Sequence, residues 1–222
     1  MWDRFNPAAR QVMGSALDAA EDLGHGYIGD EHVLLGLLGS DGPAQRFLVR
    51  HGLELAAVRA ELLRLTAAGQ VPQSRDADAA NLQELGIDVD QVRDRLTAAF
   101  GSDAVADAVW RASRRPWWRG GGRSRTPLCG KPLFAKRALA LAVEYADTRG
   151  EGEIGPEHVL YGLLQDLADP YGTGLSRRGR KHLAQMGCSI GASKPGTALL
   201  ATHGLDPTQL RAELSSEAGS MQ

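Results

Sequence analysis

Apolar positions along this chain recur at helical spacing and almost nowhere at the two-residue spacing of a strand. Ala9, Val12, Met13, Ala16, Leu17 and Ala20 form one stripe. Asn6 and Pro7 give it a start, so a first helix is predicted over residues 7–23. Val33, Leu34, Leu37 and Leu38 form a second stripe behind Asp30. Gly39-Ser-Asp-Gly-Pro43 stops that helix and starts a third over residues 44–51, which Gly52 ends. A fourth is predicted over residues 54–68, with Leu55, Val58, Leu62 and Leu65 inward. Further helices are predicted over 102–113, over 133–148, from Pro156 onward, and over 207–217. Residues 69–80 are polar or small, and residues 114–130 hold prolines and glycines without a period, so both read as connectors.

The second stripe occurs twice. Tyr27-Ile-Gly-Asp-Glu-His-Val-Leu-Leu-Gly-Leu-Leu38 returns 126 residues later as Glu153-Ile-Gly-Pro-Glu-His-Val-Leu-Tyr-Gly-Leu-Leu164. Over residues 24–38 against 150–164, eleven of fifteen positions are identical, which marks an internal duplication. The fold class that follows is all-α: two pseudo-twofold-related four-helix repeats with a helical insertion and a flexible Arg/Trp linker. The predicted layout is repeat one over 1–70, an inserted helical segment over 71–113, the linker over 114–130, and repeat two over 131–222. Repeat one spends residues 39–52 on reaching the end of its third helix, and repeat two spends residues 165–204, so an insertion is expected at about 168–195. A shorter echo, Val58-Arg-Ala-Glu-Leu62, returns as Val92-Arg-Asp-Arg-Leu96 and as Leu210-Arg-Ala-Glu-Leu214.

The duplicated stretch has local logic. Asp30 stands where an N-cap belongs, its carboxylate placed to accept a first-turn N–H. Pro156 occupies the matching place, where a missing N–H does no harm. Glu31 and Glu157 fall in the first turn, where the helix dipole favours an acid. Gly36 and Gly162 each cost about 1 kcal/mol inside a helix. Their presence in both copies predicts close contact with another helix.

Composition narrows the function. A formal net charge of −2 gives no global bias toward nucleic acid or anionic membrane. Cys129 and Cys188 do not make a disulfide framework, and residues 1–5 lack the apolar run of a signal peptide, so a cytoplasmic setting is expected. No apolar run approaches the roughly 20 residues needed to span a bilayer. Neither His32 nor His158 has a second ligand at i+4, and no nucleophile elbow or Gly-x-x-x-x-Gly-Lys-Ser/Thr occurs. No metal, cofactor or catalysis is therefore expected. The rival signal is Trp117-Trp118 among Arg114, Arg115, Arg119, Arg123 and Arg125, which could pair phosphates and stack bases. One basic stretch on a mildly acidic chain favours linker or protein contact over nucleic acid.

A repeat that opens Met-aromatic-Asp-Arg-Phe and continues Gly-His-x-Tyr-Ile-Gly-x-Glu-His-Val-Leu-Leu-Gly-Leu, then duplicates, resembles the Clp N-terminal domain family. The resemblance is to the front domain of ClpC- and ClpA-type unfoldases. It is similar in particular to stand-alone actinobacterial proteins that keep this domain without the motor. It implies a non-enzymatic adaptor or decoy whose partners are proteins or peptides, among them Clp components, their clients and cyclic peptides. In ClpC-type domains the Glu of each repeated motif helps bind phosphoarginine, which here points to Glu31 and Glu157. The family Thr before that Glu is replaced by Asp30 and Pro156. The aromatic start of repeat one, Trp2 and Phe5, and the matching positions of repeat two, where Lys131 replaces the expected aromatic and Phe134 follows three residues later, are implied to line a peptide-binding face.

Overall fold

A computed structural model of the chain describes residues 2–71, 88–101, 104, 134–177, 180, 181, 184 and 189–220. The described residues are helical, without strands, and an isolated parallel bridge joins Phe5 and Ile154. The chain divides into two compact units, residues 1–73 with 133–222, and residues 74–132. No helix among the described residues is long and apolar enough to cross a membrane.

The larger unit holds α1 (Pro7–Asp22), α2 (Asp30–Leu38), α3 (Pro43–Arg50) and α4 (Leu55–Ala67) from repeat one. The smaller unit contributes α5 (Val89–Phe100), opened by Asp88, whose carboxylate accepts the Gln91 N–H at 3.0 Å. Repeat two, again in the larger unit, supplies α6 (Lys136–Thr148), α7 (Pro156–Leu167), α8 (Pro195–Thr202) and α9 (Pro207–Ser220).

The two repeats interlock. α2 and α7 pack on each other at the centre, with α1 on α2 and α6 on α7. α3 leans on α7 and α8 on α2, so each repeat's third helix rests on the other repeat's central helix. The backbone makes the same exchange. Asn6 N–H donates to the Ile154 carbonyl at 3.0 Å, and Ile154 N–H donates to the Arg4 carbonyl at 2.8 Å. At the other end, Phe134 N–H donates to the Ile28 carbonyl at 2.8 Å. Ile28 and Ile154 are the same position of the two copies, so the start of each repeat is tied to the same place in its counterpart. His51 and Arg50 at the end of α3 reach Glu213 and Glu217 of α9 at 2.8 and 2.6 Å, a further tie across the repeats.

The repeated helix glycines meet the expectation of close contact. A Cβ at Gly36 would lie 2.3 Å from the Val12 carbonyl oxygen of α1, and one at Gly162 2.2 Å from the Ala138 carbonyl oxygen of α6. Those helices pack backbone to backbone, and a methyl group has nowhere to go. Asn6 caps α1 as predicted, its side chain accepting the Ala9 N–H at 2.9 Å. Two core assignments change. Leu17 is only half-buried, and Ala19 joins the interior of α1. Leu55, expected inward, is 42% exposed because it is the first residue of α4 and precedes the packed turn.

Between α7 and α8 the chain makes a long excursion that is closed at its neck. Tyr171 N–H donates to the Ala192 carbonyl and Gly191 N–H to the Tyr171 carbonyl, both at 2.9 Å. Closure entropy grows slowly with loop length, so a pinned neck tolerates a long insertion. Tyr171 forms a small apolar cluster with Phe134, Leu175 and Ala192.

Candidate functional site

The site is built on the first turns of α2 and α7. Gly29 and Gly155 are the N-caps. His32 Nδ1 accepts the Gly29 N–H at 2.9 Å, and His158 Nδ1 accepts the Gly155 N–H at 3.0 Å. Each histidine thus does what the third-position acid does in a capping box. Each glutamate folds back over its own helix start. A Cβ at Gly29 would lie 2.3 Å from Glu31 Oε2, and one at Gly155 2.2 Å from Glu157 Oε1. Gly-x-Glu-His is therefore one mechanical unit: glycine leaves room for the acid, the acid meets the positive end of the dipole, and histidine closes the cap.

Beyond this shared frame the copies diverge. His32 Nε2 meets His25 Nδ1 at 2.9 Å, while His158 Nε2 meets Glu151 Oε2 at 3.0 Å. His25 and Glu151 are the same position of the repeat. Glu31 is wholly buried, and neither of its carboxylate oxygens accepts a hydrogen bond from a described residue. Burial lifts the Glu31 carboxyl above the usual carboxylate range and lifts the Tyr27 phenol with it. Glu157 keeps 45% of its side chain in solvent, and its contact with His158 holds it below the usual range.

Asp30 corrects an expectation. It is the first residue of α2, not its cap, and it serves the other repeat. Its Oδ2 accepts the Gly196 N–H at 2.7 Å, across the repeat boundary. α8 needs that acceptor: Pro195 has no N–H, and its N-cap Lys194 makes no side-chain cap. Burial, with Glu31 beside it, lifts Asp30 well above the ordinary range, against the pull of Lys194 and the Gly196 N–H. An ion cluster adjoins it. Arg137 pairs with Asp166 at 2.7 Å and Asp169 at 2.5 Å, and Lys194 with Asp166 at 2.8 Å.

Of the residues that the sequence singles out, Phe5 is a core residue beside Ile154, and Trp2 is half-buried with its ring 4.9 Å from that of Phe5. Phe134 is half-buried, 5.4 Å from the Tyr27 ring. Asp30 and Glu31 are buried. Lys131 and the segment with Arg114, Arg115, Trp117, Trp118, Arg119, Arg123 and Arg125 lie outside the described residues.

Three features escape a sequence reading. Ligand atoms of His25, Glu31 and His32 lie within 4.8 Å of one another, a spacing that suits a metal. The chemistry does not. The Gly29 N–H occupies the lone pair of His32 Nδ1, which places the proton on Nε2 and turns that atom into a donor toward His25. The signal for His25 was its register with Glu151. On repeat two, Tyr145 and Tyr161 stack at 3.5 Å and 7°, with the Arg149 guanidinium 5.6 Å over Tyr145. Tyr161 lies one turn after Glu157, on the same side of α7. Finally, Arg4 ties repeat one to the last turn of α6 through Asp147 at 2.7 Å and to the turn before α7 through the Glu151 carbonyl at 2.9 Å.

Residues 4–82 match the family described as the Clp repeat (R) N-terminal domain. The negative regulator of genetic competence ClpC/MecB of Bacillus subtilis is 30% identical over 145 residues, 61% of this chain and 17% of that protein. The chloroplastic chaperone protein ClpC2 of Arabidopsis thaliana is 33% identical over 146 residues, 61% of this chain and 15% of that protein. A ClpA homolog of Guillardia theta, an ATP-binding subunit of ATP-dependent Clp protease, is 45% identical over 62 residues, 28% of this chain and 8% of that protein. The chain spans less than a fifth of the length of these curated relatives. Among solved structures, the N-terminal domain of the chaperone ClpD from Arabidopsis thaliana shares the all-helical fold. It matches with a TM-score of 0.52 at 17% identity, covering 99% of this chain and 97% of that one.

Proposed function

We propose that the chain, whose residues 4–82 match the Clp repeat (R) N-terminal domain, is a non-catalytic protein- and peptide-binding module of the Clp proteolytic system. Its ligands on this reading are substrates, degron-bearing peptides or Clp components, and it acts on them as an adaptor or decoy. The observation that carries the reading is the contrast between Glu157 and Glu31. One copy of the motif keeps a half-exposed, ionised carboxylate at the repeat start, while the other spends its acid inside the protein. An exposed carboxylate pairs with a guanidinium or ammonium. Pro156 offers no N–H, and the Glu157 side chain already covers the helix start. This position therefore suits the cationic part of a peptide better than a phosphate.

Calorimetry with an arginine-bearing peptide and with phosphoarginine tests this on wild type and Glu157→Gln. Binding by wild type, weakened at least about tenfold in the variant, is expected, since a charge-assisted pair contributes about 1.5–3 kcal/mol. No binding of either probe, together with no association with purified Clp unfoldase, would sink the reading.

A further inference from the structure

We infer that Tyr161 makes the repeat-two position selective for arginine over lysine, its ring taking the guanidinium plane while Glu157 meets the charge. This rests on the reading of Glu157 as a cation site and names the side chain that the site takes. The comparison of the two copies carries it. Their register holds through the packed helices: Gly36 faces Val12 and Ala16 of α1, and Gly162 faces Ala138 and Ala142 of α6. In that register Tyr145, Arg149 and Tyr161 stand where repeat one has Ala19, Leu23 and Leu35. Ala19 and Leu35 are buried, whereas Tyr145, Arg149 and Tyr161 are partly exposed. The copy that keeps its acid in solvent is thus the copy that carries a ring one helical turn further on.

The chain already holds one guanidinium in this way. Arg149 donates from Nε to Glu151 Oε1 at 2.6 Å, and its guanidinium carbon lies 5.6 Å from the centre of the Tyr145 ring. An acid and a ring face together take an arginine of the protein itself. Tyr145 and Tyr161 stack at 3.5 Å, too close for a side chain between them, so Arg149 lies on Tyr145 and Tyr161 ends the stack. Glu157 and Tyr161, on the same side of α7, repeat the pairing of acid and ring for an arginine from outside. A guanidinium is planar and weakly hydrated, so it stacks on a ring and keeps its in-plane N–H groups for a carboxylate. A lysine ammonium is a strongly hydrated point charge and gains less from the ring. Repeat one has neither half of this arrangement, since Leu35 and Glu31 are both buried.

The test titrates the isotope-labelled full chain, followed by NMR, with a short Gly/Ser peptide bearing one arginine and with the same peptide bearing lysine instead. Wild type is expected to bind the arginine peptide about threefold or more tighter than the lysine peptide. Tyr161→Leu, which installs the repeat-one residue, is expected to bring the two affinities together by weakening the arginine peptide alone. The δ-protons of the bound arginine are expected to move upfield under the ring current of Tyr161 on wild type, a readout that stands even if Tyr161→Leu does not fold. Equal affinities on wild type, an unchanged preference in a Tyr161→Leu chain of native helicity, or no upfield movement each overturns the inference. Any of these with both peptides still weakened by Glu157→Gln leaves the Glu157 reading in place. If neither peptide binds wild type, both fall together.

Discussion

Substituting Asp30 by alanine and by asparagine separates a cap from a charge. Its Oδ2 accepts the Gly196 N–H at 2.7 Å in the interior, at the start of a helix whose first residue is a proline. Alanine removes the acceptor. A helix cap lost with its buried N–H left unpaired costs about 1–3 kcal/mol, so Asp30→Ala is expected to lose about that much. The amide oxygen of asparagine can accept the same bond in nearly the same volume. Asp30→Asn is therefore expected to stay within about 1 kcal/mol of wild type. The pH dependence gives a second readout. Burial raises the carboxyls of Asp30 and Glu31 above their unfolded values. Below the ordinary carboxylate range both folded and unfolded chains hold these protons, and stability is complete. As pH rises past that range, the unfolded chain releases them and the fold does not, so stability falls by up to about 1.4 kcal/mol per pH unit for each proton. Asp30→Asn removes one of the two groups and should flatten that decline. Urea unfolding followed by circular dichroism between about pH 4 and pH 7 measures both effects. Alanine and asparagine variants of equal stability would refute the trans-capping role, and a wild-type pH slope in Asp30→Asn would refute the raised carboxyl.

Gly162→Ala gains about 1 kcal/mol of helix propensity but drives a methyl into the Ala138 carbonyl at 2.2 Å, a clash with backbone on both sides. A net loss of about 1–2 kcal/mol or more is expected in denaturant unfolding, with Gly36→Ala in the same direction. Asp166→Ala leaves the buried Lys194 ammonium without its side-chain acceptor and should cost about 3–5 kcal/mol, read as a lower melting temperature. Glu31→Gln relieves a buried acid and is expected to raise stability at neutral pH without changing peptide affinity. Glu157→Gln should do the reverse: a slightly lower melting temperature at neutral pH, since contact with His158 favours the ionised carboxyl, and peptide affinity weakened at least about tenfold.

Much of the fold was legible in the sequence because helices are specified locally. The stripe from Val12 to Ala20, the Asn6 cap and the paired Gly36 and Gly162 depend on neighbours within one or two turns, and the structure keeps them. The 126-residue register likewise marks the duplication, while the imidazole caps of His32 and His158 are seen only in the structure. The uses of the acids did not follow. Local sequence is nearly the same at Glu31 and Glu157, yet one acid is wholly buried and the other half-exposed. Asp30 looked like a cap for the helix it starts; only the placement of α8 made it a cap for another. The same limit shows in α5. Its Val92 and Leu96 repeat the pattern of Val58 and Leu62, which are fully buried, yet they are 45% and 43% exposed. Periodicity decides which side of a helix is apolar, because that is set by 3.6 residues per turn. Whether anything covers that side, or lets an acid keep its water, depends on what distant chain arrives there, and that only the tertiary structure decides.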